Sequence, residues 1–350
     1  MDTNHGWGTV GWDAWTDAGR VREHLAAGAD PDHIDDEPWA RPLHLAAETG
    51  SGEAVTELAA QVSDIDALDD ARSALWVAVY ERRTEVIKAL LAAGADPWRP
   101  MMAGWSPGRL ALAGPDAALF TTATGISATA GTSAAETDAR ALSQAEAEMV
   151  ARSARFSDAL TDLDTDGLGL AAVAGIDARE AIRRLRAVPD DEFPTNTDAT
   201  GQGLDPRQVR EDLLDLAVDD GSGMELLVGV SDVPGGCVIT QPWSYAPSMP
   251  VVQQLLSAGT RCYGFYGNPK SGDQGSACVD GARIAGDTWP GGPAEAEDPA
   301  DLVLISFLHN SDPVGYVCAY AGLHLDDARP VTGLPDHWVR LPERDYWTEI

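Results

Sequence analysis

The sequence predicts a multidomain protein: an all-α array of helical repeats over residues 1–118, followed by an α+β domain with an antiparallel sheet over residues 138–350. Two observations carry this prediction. The first third of the chain repeats itself every 33 residues, which is typical of stacked helical repeats. The remainder mixes short apolar runs with helical patterns and tight turns. Residues 119–137, rich in Ala, Thr, Gly and Ser, are predicted to be a linker or mobile loop.

The repeat is visible in a seven-residue segment that occurs twice, 66 residues apart. Residues 25–31 and 91–97 both read LAAGADP, and a degenerate copy begins at Leu58, midway between them. A second marker, RPLHLAA at residues 41–47, resembles the T-P-L-H opening of ankyrin repeats, which share the 33-residue period. The resemblance implies two full ankyrin repeats with a partial repeat at each end, and a protein partner bound through hairpin tips and first helices.

Single residues within the array have local explanations. Gly28 and Gly94 are predicted to take the left-handed conformation that follows a helix. The fourth repeat, which starts at Ser106, is expected to lose its second helix after Pro115. His44 is expected to bond to backbone near a hairpin, as a structural histidine of the repeat and not as a catalyst.

Tryptophan and arginine supply the candidate partner-binding residues, because both are enriched in the energetic centres of protein interfaces. The candidates lie in or beside predicted hairpins or on a first helix, and they are Trp39, Arg41, Trp76, Trp98, Arg99 and Trp105. The alternative interpretation is that these tryptophans seal the short array against the second domain, since a short array needs capping.

An Asp-rich segment follows the next predicted helix, residues 137–160. Asp162, Asp164 and Asp166 match the opening of an EF-hand calcium loop. The closing glutamate is missing, because position 12 of the loop is Val173, and residues 168–176 predict a strand instead of a helix. The sequence therefore predicts no metal site and favours a turn, and a calorimetric calcium titration tests the weak calcium alternative.

The second domain is predicted from its alternating helix and strand patterns. Asp177 is expected to cap a helix, and the turn at Val233, Pro234 and Gly235 indicates an antiparallel hairpin. Strands are predicted at residues 168–176, 225–231, 236–241, 261–267, 276–280 and 282–285, and helices at 177–186, 206–217, 248–258 and 313–323. Residues 189–202 and 326–350 are predicted to be loops, and residues 301–308 form an apolar run.

The segments at residues 175–185, 241–243 and 256–260 are similar to a family of uncharacterised actinobacterial α+β domains, over about residues 156–325. The resemblance implies no chemistry, because that family has none assigned.

A polar loop at residues 267–276, whose residues 268–274 separate two predicted strands, is the best candidate for an anion-binding loop. Its candidate residues are Asn268, Lys270, Ser271, Asp273 and Gln274. It lacks the following helix that phosphate loops use, so a plain exposed hairpin loop is the competing interpretation. No nucleophile elbow, zinc-protease motif or dinucleotide fingerprint occurs, and no cofactor is predicted.

The four cysteines could form a disulfide bond or supply a catalytic thiol. Cys237, Cys262, Cys278 and Cys318 have no paired metal-ligand spacing, and are predicted to be reduced thiols in core elements. A disulfide between two of them stays open. Cys237 with His309, His324 or His337 would supply a nucleophile and a base, but nothing in their spacing brings them together, so the sequence identifies no catalytic residues.

The net charge of the chain excludes some classes of binding partner but identifies none. The chain has 56 acidic and 24 basic residues in 350, a net charge of −32. Residues 1–118 hold 20 acidic and 9 basic residues, and the rest hold 36 and 15, so both domains share the acidity. The sequence predicts no nucleic-acid or membrane partner and a cytoplasmic protein, and leaves the oligomeric state open.

Three functions remain. The first is a protein-interaction protein that binds a basic partner, with the α+β domain as a second binding or regulatory surface. The second is a small-molecule-binding or catalytic α+β domain on an ankyrin scaffold, so enzymatic activity is the less favoured alternative. The third is an immunity-type inhibitor of a toxin, a special case of the first.

Overall fold

The structure, a computed structural model, describes residue 7 and residues 15–33, 41–121, 140–160, 163–220 and 224–348. The chain forms two compact units. The helical unit comprises Met1–Val150 together with Pro293–Leu308, and the sheet unit comprises Ala151–Gly292 together with His309–Ile350. Residues 140–150 and 293–308 therefore lie with the repeats, although the sequence patterns assigned them to the α+β domain.

The helical unit is built from short helices in antiparallel pairs. Its helices before residue 122 are α1 (Ala18–Ala26), α2 (Pro42–Thr49), α3 (Gly52–Ala59), α4 (Ala74–Tyr80), α5 (Thr84–Ala92), α6 (Pro107–Ala111) and α7 (Ala117–Thr121). The first helices of successive repeats are α2, α4 and α6. The short α7 follows Pro115, where the sequence predicted no helix. A proline just ahead of a helix removes no internal hydrogen bond, so it does not prevent the helix.

Local capping explains where these helices begin and end. The hydroxyl oxygens of Ser51, Ser73 and Ser106 accept backbone N–H bonds at 3.2, 3.2 and 3.3 Å, at the N-termini of α3, α4 and α6. Gly28 and Gly94, beyond the ends of α1 and α5, have φ angles of +94° and +98°, as predicted. The helices α1 to α5 span seven to nine residues, about two turns each, and α6 spans five.

The core of the helical unit combines small and branched side chains. Alanines of the first helices let the helices approach closely, and leucine and isoleucine side chains of the second helices fill the remaining space. The residues with no exposed surface include Ala46, Ala47, Ala78, Leu58, Ile87 and Leu90.

A helix from the distant part of the sequence completes this core. In α13 (Ala300–Leu308), Val303, Leu304 and Phe307 are buried among the repeat residues. The Phe307 ring meets the edge of Tyr80, with 5.9 Å between the ring centroids.

Hydrogen bonds hold both ends of α13. The Trp105 indole donates to the Ala300 carbonyl at 2.8 Å. At the other end, Arg82 donates to the carbonyls of Phe307 and Leu308 at 3.1 and 3.2 Å. Because the last carbonyls of a helix lack internal partners, Arg82 satisfies groups that the helix leaves open.

The helix α8 (Gln144–Ala159) begins in the helical unit. Met149 and Val150 pack against the repeat core. The Glu146 carboxylate accepts two hydrogen bonds from Arg109, at 2.8 and 2.7 Å. Burial alone would raise the pKa of Glu146, but the hydrogen bonds from Ser143 and Arg109 and the charge of Arg109 together lower it below its ordinary value.

The sheet unit contains one antiparallel sheet of eight strands among the residues described. In spatial order the strands run β2-β8-β3-β4-β1-β5-β6-β7. They are β1 (Gly169–Ala174), β2 (Val188–Pro189), β3 (Leu227–Val233), β4 (Gly236–Gln241), β5 (Arg261–Asn268), β6 (Gly272–Val279), β7 (Ala282–Thr288) and β8 (His337–Arg340). The predicted hairpin between β3 and β4 is confirmed, with Val233 opposite Gly236.

Helices cover both faces of this sheet. They are α9 (Ala178–Leu185), α10 (Asn196–Gln202), α11 (Pro206–Asp220), α12 (Pro250–Leu256), α14 (Pro313–Ala321) and α15 (Arg329–Thr332). Along β1, Leu170 and Ala172 join the core that contains α14, whereas Ala171 and Val173 join the core that contains α9 and α12. Successive strand residues point to opposite faces, so a central strand that is covered twice is apolar throughout.

Three loop predictions were wrong. Residues 189–202 contain α10, and residues 326–350 contain α15 and β8. The loop at residues 268–274 is mostly strand, because β5 ends at Asn268 and β6 starts at Gly272. A strand of four residues such as β8 is too short for a pattern, and its pairing with β3, more than 100 residues earlier, defines it. Among the described residues, no helix is both long and apolar enough to cross a membrane.

Candidate interaction surface

A cavity of about 210 Å³ opens on the first helices of the repeats. His44 and Glu48 of α2 lie one turn apart, and so do Trp76 and Tyr80 of α4, so each pair faces the same way. The remaining walls come from the turn before α4, from the start of the loop after α4, and from residues 293–294. The full lining is His44, Glu48, Asp69, Arg72, Trp76, Val77, Tyr80, Glu81, Pro293 and Ala294.

The cavity is acidic. It has three carboxylates, from Glu48, Asp69 and Glu81, against the one guanidinium of Arg72. That guanidinium forms an ion pair with Asp70 at 2.9 Å. The cavity therefore favours cations over anions.

The fold favours the uncharged form of His44. Its side chain is 5% exposed, and burial lowers its pKa below the ordinary value of 6.5. The ring Nε2 lies 3.0 Å from the Arg72 carbonyl oxygen. Because a carbonyl only accepts, Nε2 carries the proton and Nδ1 is an acceptor. The predicted backbone bond near a hairpin is confirmed, since Asp69 and Arg72 pair as an isolated bridge.

Aspartates join the turns of successive repeats. The Asp32 carboxylate accepts the Ser63 backbone N–H at 3.0 Å, and the Asp66 carboxylate accepts that of Asp96 at the same distance. Arg99 donates to the Asp66 carbonyl at 2.6 Å. The turns of successive repeats are therefore fixed by a repeating set of bonds about one repeat apart.

The stacked helix pairs, the repeated aspartate turns and the cavity on the first helices agree with the comparison to known families. The family model described as Ankyrin repeats (3 copies) matches residues 16–101. Residues 16–101 are ankyrin repeats. A comparison with curated proteins gives no match for the chain. Ankyrin repeats indicate a protein-interaction role in general.

The ankyrin array places two of the predicted binding residues at or beside the cavity. Trp76 lines it and is otherwise buried, with 1% of its surface exposed. Arg41 forms the N-cap of α2, one turn before His44, and donates to the Asp32 carbonyl at 3.2 Å.

Three other predicted binding residues have structural contacts. Trp98 is half-buried, with the Arg140 guanidinium 4.8 Å from its ring centroid. Arg99 holds the turn at Asp66, as described above. Trp105 is 0% exposed, so its ring contributes to the core and does not present a surface to a partner. Trp39 lies outside the described residues.

Sequence reasoning missed several cavity residues. Glu48 and Tyr80 follow His44 and Trp76 at a helical spacing of four, and this spacing was a usable signal. Pro293 and Ala294 gave no signal, because only the folding of residues 293–308 onto the array brings them to it.

The two polar candidates of the second domain lie next to each other in the sheet unit. Gly167, at the end of the Asp-rich turn, donates its backbone N–H to the Gly267 carbonyl at 2.8 Å. Burial and the nearby Asp166 carboxylate raise the pKa of Asp273. Asn268 caps the tight turn at Lys270 and Ser271, and Gln274 bonds to Ser271 at 3.2 Å.

The Asp-rich turn leads directly into a strand. Val173 lies in β1, so the strand predicted in place of an EF-hand exit helix is confirmed. Within the described ranges, no group of three His, Cys, Asp or Glu residues is placed to hold a metal ion. Asp162 lies outside those ranges, whereas Asp164 and Asp166 line a separate cavity of the sheet unit.

The second cavity has a volume of about 890 Å³. Leu160, Leu168 and Leu214 form part of its wall. Its polar lining includes Arg210, which donates to the Thr332 carbonyl and whose pKa burial lowers. This arrangement combines apolar walls with a few directed polar groups, as in sites for small molecules.

The thiols do not suit nucleophilic catalysis. All four cysteines are buried and none forms a disulfide bond, as predicted. Burial raises the pKa of Cys237 to about 12, and it raises those of Cys262 and Cys318 as well. A thiol with a raised pKa holds little thiolate at neutral pH, so these groups are poor nucleophiles.

Proposed function

We propose that this chain is a protein-interaction protein whose ankyrin repeats bind a basic protein partner through the first-helix surface. The acidic cavity beside Trp76 is the observation that carries this proposal, since it combines aromatic walls with three carboxylates on the repeats. The net charge of −32 also favours fast capture of a basic partner.

The sheet unit supplies a second binding or regulatory surface in this proposal. Its support is a group of aromatic rings in which Tyr245 contacts both Tyr266 and Trp347, each with 5.5 Å between centroids. Trp347 is 60% exposed. Exposed aromatic groups of this kind are enriched at protein interfaces. The four cysteines form no disulfide bond, which fits a reducing compartment such as the cytoplasm.

Capture from a lysate of the native host tests the interaction. The wild-type chain is compared with the charge-reversal variant Glu48→Lys, Glu81→Lys and with the control Glu53→Lys, whose exposed carboxylate lies on α3. We expect a stoichiometric basic protein with wild type and control, and its loss with the double variant. Equal capture by all three chains contradicts binding through the first helices. An immunity role additionally requires that the captured protein is a toxin that the chain neutralises.

A second candidate function is the binding of a small organic molecule by the sheet unit. It is supported by the cavity of about 890 Å³ near Arg210, within the range of roughly 300–1,000 Å³ for small-molecule sites. A thermal-shift screen with metabolites tests it, with Arg210→Gln as the comparison variant. A compound that raises the melting temperature of wild type but not of Arg210→Gln supports this function, and the absence of any such compound opposes it.

A further inference from the structure

The cavity of the sheet unit has an apolar wall made by leucines from three segments. Leu160 follows α8, Leu168 precedes β1 and Leu214 lies on α11. The cavity has a volume of about 890 Å³, which is enough for a molecule of the size of a dipeptide. Apolar groups of a ligand would therefore be removed from water on this wall.

Arg210 is an arginine of the cavity lining that has no carboxylate partner within the described part of the chain. Its Nη1 donates to the carbonyl of Thr332, which also lines the cavity, so the guanidinium itself lies at the cavity wall. Arg329, the other arginine of the lining, forms an ion pair with Asp336 at 2.8 Å. Burial lowers the pKa of Arg210, and no carboxylate among the described residues acts to raise it. The charge of Arg210 is therefore partly removed from water without an opposite charge to compensate it.

The other N–H groups of the Arg210 guanidinium are available to a ligand. Arg210 is half-buried, and within the described ranges these groups have no hydrogen-bond partner. The fully buried polar side-chain atoms without a partner in those ranges belong to Arg41 and His44, so the unbonded nitrogens of Arg210 keep accessible surface. A guanidinium binds a carboxylate through two parallel N–H bonds. A ligand carboxylate would supply the missing opposite charge.

Exposed carboxylates select the remaining charge of the ligand. Among the described residues, five carboxylates and two guanidiniums line the cavity. Asp166 and Glu211 belong to this lining, and both are exposed. Glu211 follows Arg210 in the chain but does not raise its pKa, so the Glu211 carboxylate lies away from the guanidinium. A second anionic group of a ligand would be repelled here, whereas an ammonium group would be attracted.

We infer that this cavity binds a zwitterionic small molecule with an apolar body, of the kind formed by a dipeptide of apolar residues. Its carboxylate pairs with Arg210, its side chains pack on the leucine wall, and its ammonium group is attracted by Asp166 and Glu211. The inference rests on the second candidate function, small-molecule binding by the sheet unit, and specifies the chemical class of the ligand. It does not depend on a partner of the ankyrin repeats.

The test measures binding of L-leucyl-L-leucine to the full chain by isothermal titration calorimetry at neutral pH. Leucyl-leucinamide, which lacks the carboxylate, and N-acetyl-leucyl-leucine, which lacks the ammonium group, are matched control ligands. The amide should bind at least about tenfold more weakly, because it loses charged hydrogen bonds to a half-buried group. The acetyl derivative should bind about two- to fivefold more weakly, because pairs with exposed carboxylates contribute little.

Variants assign these losses to residues. Arg210→Gln should remove the difference between leucyl-leucine and its amide, whereas Arg179→Gln, the same change at an exposed arginine of α9, should preserve it. Glu211→Gln should weaken binding of leucyl-leucine by about two- to fivefold without weakening that of the acetyl derivative. Melting curves show whether each variant folds. If the loss of the bond to Thr332 unfolds Arg210→Gln, the comparison of acid and amide on the wild-type chain decides.

The possible results separate this inference from the function on which it rests. Equal affinity for leucyl-leucine and its amide, or no binding of leucyl-leucine up to its solubility limit, overturns the ligand class. If the metabolite screen then finds another compound that requires Arg210, the second candidate function stands without this inference. Binding that requires the carboxylate and is lost in Arg210→Gln but not in Arg179→Gln supports both.

Discussion

The substitution Phe307→Ala tests whether α13, which lies far beyond the first helices in sequence, stabilises the ankyrin array. Phe307 is 1% exposed and belongs to the hydrophobic core of the helical unit. Replacing a buried phenylalanine by alanine costs about 3–5 kcal/mol. About 0.5–1.5 kcal/mol of this loss belongs to the edge contact with Tyr80. The loss is a large fraction of the stability of a typical domain, about 5–15 kcal/mol.

Hydrogen exchange measured by mass spectrometry shows where this loss occurs. In Phe307→Ala, amides of α4 and α6 should exchange faster, because the ring packs against Tyr80 and lies next to Gly114. The control Phe265→Ala removes an equally buried ring from the sheet unit. It should speed exchange in β1 and β5 instead.

Unchanged exchange in α4 and α6, with faster exchange only in the sheet unit, would show that α13 does not stabilise the array. A loss of less than about 1 kcal/mol in urea unfolding would contradict it too, since removing a buried phenylalanine from a packed core costs more than that.

Three further predictions concern single groups. Trp105→Phe leaves the Ala300 carbonyl without its indole donor and should lower the free energy of unfolding in urea by about 1 kcal/mol or more; Trp98→Phe, at a half-buried ring, should cost less, and equal losses would contradict this. Burial lowers the pKa of His44 below 6.5, although Asp69 and the Arg72 carbonyl act to raise it. Just below pH 6.5 the unfolded chain therefore binds more protons than the folded chain. Stability should therefore fall as pH drops below about 6.5, and His44→Gln should flatten this dependence in denaturant titrations; an unchanged slope would refute the assignment. Ellman's reagent at pH 8 should modify no cysteine in the native protein and all four in urea, whereas fast native labelling would show that a thiol is accessible.

The sequence determined the ankyrin array because the interactions that define each repeat are made between residues close in sequence. The 33-residue period, Gly28 and Gly94 after helices, and the backbone bond of His44 all depend on neighbours within one or two repeats. The helix capped by Asp177 and the β3–β4 hairpin were predicted for the same reason, since a cap and a tight turn are set by a few consecutive residues.

Only the tertiary structure decided which residues form the candidate site. Trp98 and Trp105 are of a residue type that is enriched in protein interfaces, yet Trp105 belongs to the core because α13 packs over it. Pro293 and Ala294 became walls of the cavity through the same packing. Periodicity records how a segment contacts its neighbours in sequence, and it carries no information about a helix that arrives from nearly 200 residues away. The sequence therefore determined that this protein contains ankyrin repeats, whereas long-range packing decided which surface of those repeats carries the cavity.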